Sequence, residues 1–379
     1  MLTATPPRAL LVTFNRLVPA DQGNARRIHQ VLRIYRSLGW EVDLLYHEEE
    51  GIDVGLSAAL LAQFGRVLVL PSRAKRTIER PGHICRVADW FDPGLLPAAR
   101  DLHRLRGYRL VHVNYVWNAP LFAAFGPGVI KVLDTHDVFT DRAQRYRDAG
   151  LAPQWFSTTA EEEDAGLAQA DTVLAIQREE GEAFAARGHR HVHYLPYVEP
   201  LARQFFAPRP AGRPLTLGYL GSGNDWNIRS LDRFLAQWTP APSPRGALLR
   251  VAGGVCRHLL AAPGVTLLGY VAALEDFYDT IDIAINPMVG GSGLKIKTVE
   301  PLTYGKPVLT TPAGAQGLTH LWRLPVVADA AEMAAHLATY ADGRALTDLR
   351  EAGRASRAAL DAEYTAQRAA FTRWLATRG

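Results

Sequence analysis

The chain has 379 residues, 48% of them hydrophobic and 21% charged, with a formal net charge of +4. That length exceeds one ordinary core, so two domains are expected, with the composition of a soluble globular enzyme. The charge is mild, and the scattered arginines lack the aromatic interleaving of a single-strand binder, so nucleic acid is not expected; phosphate-bearing substrates or an anionic membrane surface account for it equally well. Pro6, Pro7 and Arg8 interrupt the N-terminus before any apolar run develops, which reads as no signal peptide, and no run reaches the ~18 residues of a membrane span. Cys85 and Cys256 form no CxxC and lie in different halves, as free thiols of a reducing cytoplasm would.

In chain order, residues 9–14 (ALLVTF) form a buried strand, 15–24 a loop with Pro19 and Gly23, 25–38 an amphipathic helix ended by Gly39, and 41–46 a second strand. This is a right-handed parallel crossover without a G-x-G-x-x-G fingerprint. The helix carries Arg26, Arg27, Arg33 and Arg36, as a solvated face or as a membrane-facing basic patch. Residues 66–70, 110–114 and 129–133 are further strands. The last leads into Asp134-Thr135-His136-Asp137, at the strand end where open α/β sheets bind ligands, so His136 reads as functional, with Asp137 to orient its ring. A polar helix at 161–170 and a strand at 172–176 follow. His189, His191 and His193 alternate along one strand face, with no fourth zinc ligand nearby.

Residues 194–214 hold five prolines and little periodicity, which places a domain boundary near residue 200. Strand 215–220 runs into Gly221-Ser222-Gly223-Asn224-Asp225-Trp226, half of a dinucleotide fingerprint; Trp226 in the third glycine position excludes a nicotinamide site. Strand 247–252 ends in Gly253-Gly254, strand 265–268 leads into Gly269-Tyr270-Val271, and 274–278 is a short helix. Residues 281–285 form a buried strand, followed by Gly290, Gly291 and Gly293 and a helix over 294–304, stopped by Gly305 and Pro307. A strand follows at 308–310. A glycine turn at a helix N-terminus presents N–H groups and a positive dipole end to an anion. Lys295 and Lys297 put positive charge where a helix prefers acidic residues, which makes sense if a phosphate supplies the negative charge. Glu300, two turns along, is placed to take ribose hydroxyls. A surface turn with solvated lysines is the plainer alternative. Residues 326–327 form a short strand, and 330–375 is helical with a break near Gly343. P-loop and serine-hydrolase motifs fail on the residues around Gly305 and Ser292.

Glu300, Tyr304-Gly305-Lys306-Pro307-Val308 and the Thr311-Pro312-x-Gly314-x-x-Gly317 turn resemble the donor segment of retaining GT-B glycosyltransferases, specifically glycosyltransferase family 4. The family's first motif Glu is Ser292 here. The resemblance implies an α/β fold of two Rossmann-like doubly wound domains facing across a cleft. An acceptor domain would span 1–200 and a nucleotide-sugar domain 201–379, with a C-terminal helix near 362–379 returning to the first domain. It implies Gly221, Ser222, Arg229, Val271, Ser292, Gly293, Leu294, Lys297 and Glu300 around the donor. Gly23 and Asn24 would border the diphosphate and acceptor, and His136 and Lys295 would be catalytic. The activity expected is retaining transfer of a sugar from a nucleotide-diphosphate sugar to a glycan, glycolipid or small-molecule acceptor, without cofactor or metal. A cytoplasmic location is expected, with peripheral contact at the inner membrane face. An inactive GT-B partner protein and a nucleotide-sugar epimerase are the alternatives.

Overall fold

The computed structural model describes residues 6–20, 22–49, 51–72, 81–203, 213–238, 247–341 and 343–378. The expected linker, 194–214, lies partly outside them, since 204–212 are not among the described residues. Two compact units result: residues 1–197 with 365–379, and residues 198–364.

The first unit holds a seven-stranded parallel sheet of β1 (Arg8–Thr13), β2 (Glu41–Glu48), β3 (Val67–Pro71), β4 (Leu110–Asn114), β5 (Ile130–Asp134), β6 (Thr172–Ala175) and β7 (Val192–Tyr194), in the order β3-β2-β1-β4-β5-β6-β7. The chain winds outward from β1 in one direction and then, from β4, in the other, which is the doubly wound arrangement. Central strands β1 and β4 are buried apart from Arg8 at the start of β1, and their sequences are correspondingly mostly apolar, with His112 and Asn114 the polar members of β4. Leu10, Val12, Val111, Val113 and Leu133 from these strands join Trp90, Trp117, Phe139 and Phe156 in one core.

The second unit holds a five-stranded parallel sheet of β8 (Thr216–Leu220), β9 (Leu248–Ala252), β10 (Val265–Gly269), β11 (Ile283–Asn286) and β12 (Val308–Thr310), ordered β10-β9-β8-β11-β12. Here the winding reverses between β8 and β11. The ends of these strands fall within a residue or two of the sequence expectation, but the strand expected at 326–327 is only an isolated bridge between Val326 and Thr310. The helical tail is a helix at Ala330–Leu337, a 3-10 turn at Ala338–Ala341 and a helix at Gly343–Ala376 whose last residues belong to the first unit. There Phe371 is fully buried against Tyr35 and His193, and Arg368 Nη2 donates to Ser37 Oγ at 3.0 Å. No described helix is long and apolar enough to cross a membrane.

Three expectations are corrected. The first helix spans Gly23–Ser37, so Gly23 and Asn24 form its first turn rather than the loop before it. Its arginines are not one exposed face: Arg26 and Arg27 are buried, and only Arg33 and Arg36 are exposed. Burial is possible because Arg27 Nε pairs with the equally buried Asp134 carboxylate at 3.0 Å and its Nη1 donates to Leu195 O. The three histidines do not share a strand face. His189 bonds the Asp164 carboxylate at 2.7 Å, His191 has φ +57° and lies outside β7, and only His193 is in the strand, packed on Phe371 and Trp374.

Candidate active site

In the second unit, the loops after β8 and β11 emerge side by side where the winding reverses, the position at which open α/β sheets bind ligands. The helix Asp225–Trp238 follows β8 and clamps the β11 loop. A side chain at Gly290 would come within 2.5 Å of the Trp226 ring, and Val289 N–H donates to Ser230 Oγ. Trp226, which excludes a dinucleotide fingerprint, therefore has a packing role of its own. Gly291 and Gly293 have φ +101° and +71°, which L side chains rarely adopt, and this fold-back ends in the helix Ile296–Thr303 with Lys295 at its N-cap. The helix is shorter than the sequence indicates because the left-handed Gly293 holds Leu294 and Lys295 outside it. Beneath the loop, Asn286 Nδ2 donates to Thr298 Oγ1, which donates to Gly314 O, while Thr311 Oγ1 donates to Met288 O. The carboxyl ends of β11 and β12 are thereby tied to the helix.

The two lysines sit differently. Lys295 is buried, and its Nζ donates to the carbonyls of Gly291 (3.2 Å), Ser292 (3.2 Å) and Gly293 (2.8 Å) and to Gln316 Oε1 (3.3 Å). The ammonium thus holds the loop's carbonyls turned toward itself rather than projecting its charge outward. Lys297 Nζ hydrogen-bonds Asn227 Oδ1 and Tyr219 Oη and lies over the Tyr219 ring at 5.2 Å. Burial, and then the nearby Lys295 charge, push its pKa down to about 7. Asn227 also donates to Ser222 O and Oγ, so it joins Lys297 to the β8 loop. Glu300 is 5% exposed, and its Oε1 accepts from the Tyr278 hydroxyl at 2.5 Å; Tyr278 is stacked on Tyr304. The structure thus brings Gly221, Ser222, Lys297, Ser292, Gly293 and Leu294 to one end of the sheet. Arg229 is half-buried on the helix after β8, and Val271 follows β10 at the same sheet end. Asn227, Tyr219, Tyr278 and Gln316 escape a sequence reading because they belong to no motif; their roles come from partners up to 78 residues away.

In the first unit, β1, β4 and β5 end at a second polar cluster. Asn114 Nδ2 donates to Val12 O at 2.9 Å, which directs its Oδ1 toward His136 Nε2 at 2.7 Å. The acceptor oxygen requires the Nε2–H tautomer, so Nδ1 carries the ring's lone pair. Burial is the main cause that lowers the His136 pKa to about 4, outweighing the attraction of Asp134. The ring stacks on Tyr115 at 4.4 Å, and Asn24 Nδ2 donates to Tyr115 Oη. Asp137, expected to orient His136, instead caps Val138 N–H and lies 3.6 Å from Arg142; Asn114 has the orienting position.

Residues 214–342 match the family model for glycosyl transferases group 1. No curated protein sequence matches the chain. Among solved structures, it is similar to sucrose-phosphate synthase from Thermosynechococcus elongatus, at 17% identity over 98% of each chain with a TM-score of 0.70. It is similar to Anabaena HepE in complex with UDP-glucose at 14% identity, over 98% of this chain and 99% of that one, with a TM-score of 0.65. TarM is similar at 9% identity over 99% of each chain, with a TM-score of 0.69. The chain has the GT-B fold, and its residues 214–342 are similar to group 1 glycosyl transferases.

Proposed function

We propose that the chain is a retaining glycosyltransferase that moves a sugar from a nucleotide-diphosphate sugar to a hydroxyl of a glycan, glycolipid or small-molecule acceptor. The observation that carries this reading is Lys297 held by Asn227 and Tyr219 beside the glycine turn, with Lys295 folded beneath that turn. A half-buried lysine whose pKa is lowered by desolvation and a neighbouring cation favours an anion beside it. A diphosphate there gains the Lys297 charge and the positive end of the Ile296–Thr303 helix as its own charge develops on departure, while Lys295 holds the glycine loop in shape from beneath. Those charges do the neutralising that a divalent metal does elsewhere, so the transfer is read as metal-independent. Glu300, pinned by Tyr278, takes the ribose hydroxyls, while Gly221, Ser222 and Arg229 border the phosphates and the backbone at Val271 borders the base. His136, neutral with its Nδ1 lone pair, accepts a hydrogen bond from a donor-sugar hydroxyl. Ser292 stands where the related enzymes have a carboxylate, and its hydroxyl replaces a charged contact with a neutral one.

The similar HepE complexes hold UDP or UDP-glucose, which makes UDP the first nucleotide to test, beside GDP, ADP and dTDP. A nucleotide at a hundred times its dissociation constant stabilises the fold by about 2.7 kcal/mol. A shift with one nucleotide, lost in Glu300→Gln, is expected, and no shift with any of the four refutes the donor site. Turnover with an acceptor in excess EDTA, giving the donor's own anomeric configuration in the product by NMR, completes the test. Binding without turnover favours an inactive partner protein, and a changed sugar without transfer favours an epimerase.

A further inference from the structure

Six described residues that are not glycine have left-handed φ, all in the first unit, and three of them are aromatic side chains of one region: Tyr115 (+68°, ψ 141°), His136 (+61°) and Trp155 (+62°). For bulky side chains this is strained backbone, and such strain concentrates where a side chain must be aimed rather than packed. The three are linked by rings. Trp155 lies 6.4 Å from Phe14, Phe14 lies 5.1 Å from Tyr115, and Tyr115 stacks on His136. Exposure grades along the series: Tyr115 is buried, Phe14 half-buried, and the Trp155 side chain emerges to 52% exposure. Trp155 is nevertheless held from several sides. Its carbonyl meets His83 Nε2, the preceding Gln154 carbonyl accepts from Arg142 Nη1 at 2.8 Å, and its ring lies 6.0 Å from Trp90. A buried aromatic needs no explanation beyond packing, but a tryptophan fixed at energetic cost with half its surface in water does.

We propose that Trp155 and Phe14 form a stacking platform for a pyranose ring of the acceptor, so that the acceptor is a glycan rather than a lipid or a simple alcohol. This rests on the glycosyltransferase reading above and names the acceptor class for it. A pyranose offers one face of C–H groups, with slight positive charge, that fits the negative face of an indole, and a rim of hydroxyls that wants polar partners. The platform has that combination: flat apolar rings, with Asn24 bonded to Tyr115 Oη and Asn114 bonded to His136 along the inner end. A prenyl chain would bury more surface on a continuous apolar groove, whereas here the aromatic path ends at a neutral imidazole and amides. A glycan lying along the path, with its outer ring on Trp155, presents an inner hydroxyl toward His136.

The test is binding of wild type, Trp155→Gly and Trp155→Phe to an immobilised panel of neutral oligosaccharides, beside vesicles containing a polyprenyl phosphate. Glycine takes φ +62° without strain, so Trp155→Gly removes the ring while leaving the local backbone relaxed. Wild type is expected to bind at least one oligosaccharide. Trp155→Gly is expected to weaken that binding by about tenfold or more, and Trp155→Phe to retain most of it. The nucleotide-induced thermal shift of all three proteins should be the same, which also reports that the variants are folded. Wild type binding none of the oligosaccharides, equal binding by Trp155→Gly, or capture by the vesicles alone overturns the platform. Absence of a nucleotide shift in wild type instead overturns the transferase reading, so the two failures are separate.

Discussion

Lys297→Met gives the sharpest test of how the donor site handles charge. In the free protein the Lys297 pKa lies near 7 rather than 10.5, because the ammonium is desolvated and Lys295 is close. A bound diphosphate restores an opposite charge and raises the pKa again, so above pH 7 binding must take up a proton. Each pH unit by which the free lysine is deprotonated costs binding about 1.4 kcal/mol. Affinity for a nucleotide sugar should therefore fall by on the order of 100-fold between pH 6 and pH 9. A nucleotide sugar is the proper probe because its diphosphate diester does not titrate in this range, unlike the terminal phosphate of a free nucleoside diphosphate. Isothermal titration in buffers of different ionisation enthalpy should show uptake of about one proton at pH 8.5, following from that single shifted group. Lys297→Met should bind more weakly at pH 6, with a flat pH profile and no proton uptake. Two results refute the argument: affinity that is constant from pH 6 to 9 in wild type, or an unchanged slope in Lys297→Met.

Two further substitutions probe the supporting structure. Gly290→Ala places a methyl group within 2.5 Å of the Trp226 ring, so it should cost about 1–3 kcal/mol in urea denaturation and abolish the nucleotide-induced thermal shift; an unchanged midpoint contradicts this. Asn114→Ala removes the acceptor that fixes the His136 tautomer, so turnover should drop about 10- to 100-fold while the nucleotide shift persists; wild-type turnover would dismiss the positioning role.

The fold was legible because parallel strands buried on both faces are mostly apolar runs, and because glycine and proline mark their ends. Residues 9–14, 110–114 and 308–310 coincide with β1, β4 and β12 to within a residue. Arg27 was not legible: four arginines on a helix look like a solvated face until Asp134, 107 positions away, is seen to neutralise one of them inside the protein. Lys295 and Lys297 were legible as charge at a helix start but not in orientation, since only the left-handed glycines decide that Lys295 folds back beneath its own loop. His136 could be placed at a strand end from sequence. Its orienting partner could not, because Asn114 on the neighbouring strand is 22 residues away and the adjacent Asp137 looked the better candidate. The aromatic path from Trp155 to His136 draws each ring from a different segment, and no local pattern announces it.

The same burial that keeps His136 neutral makes the protein sensitive to acid. His112 and His136 both have pKa values lowered to about 4 from 6.5, in each case mainly by desolvation, with Arg27 adding repulsion and Asp134 opposing it. His193, against Phe371 and Trp374, is lowered in the same direction. Between pH 6.5 and 4 the unfolded chain holds protons that the folded chain does not, so the stability these groups contribute is complete above about pH 6.5 and is lost as the pH falls. From pH 7 to 5.5 the loss is on the order of 1 kcal/mol for each of His112 and His136, a sizeable part of an ordinary folding free energy. The urea midpoint should fall accordingly over that interval, and His193→Gln should lessen the slope. A midpoint that holds steady or rises on acidification would show that these imidazoles are not held neutral. If it falls as expected, the acid limb of the activity profile should follow the loss of folded protein rather than the titration of a catalytic group. The His136 lone pair then remains available at every pH at which the fold survives.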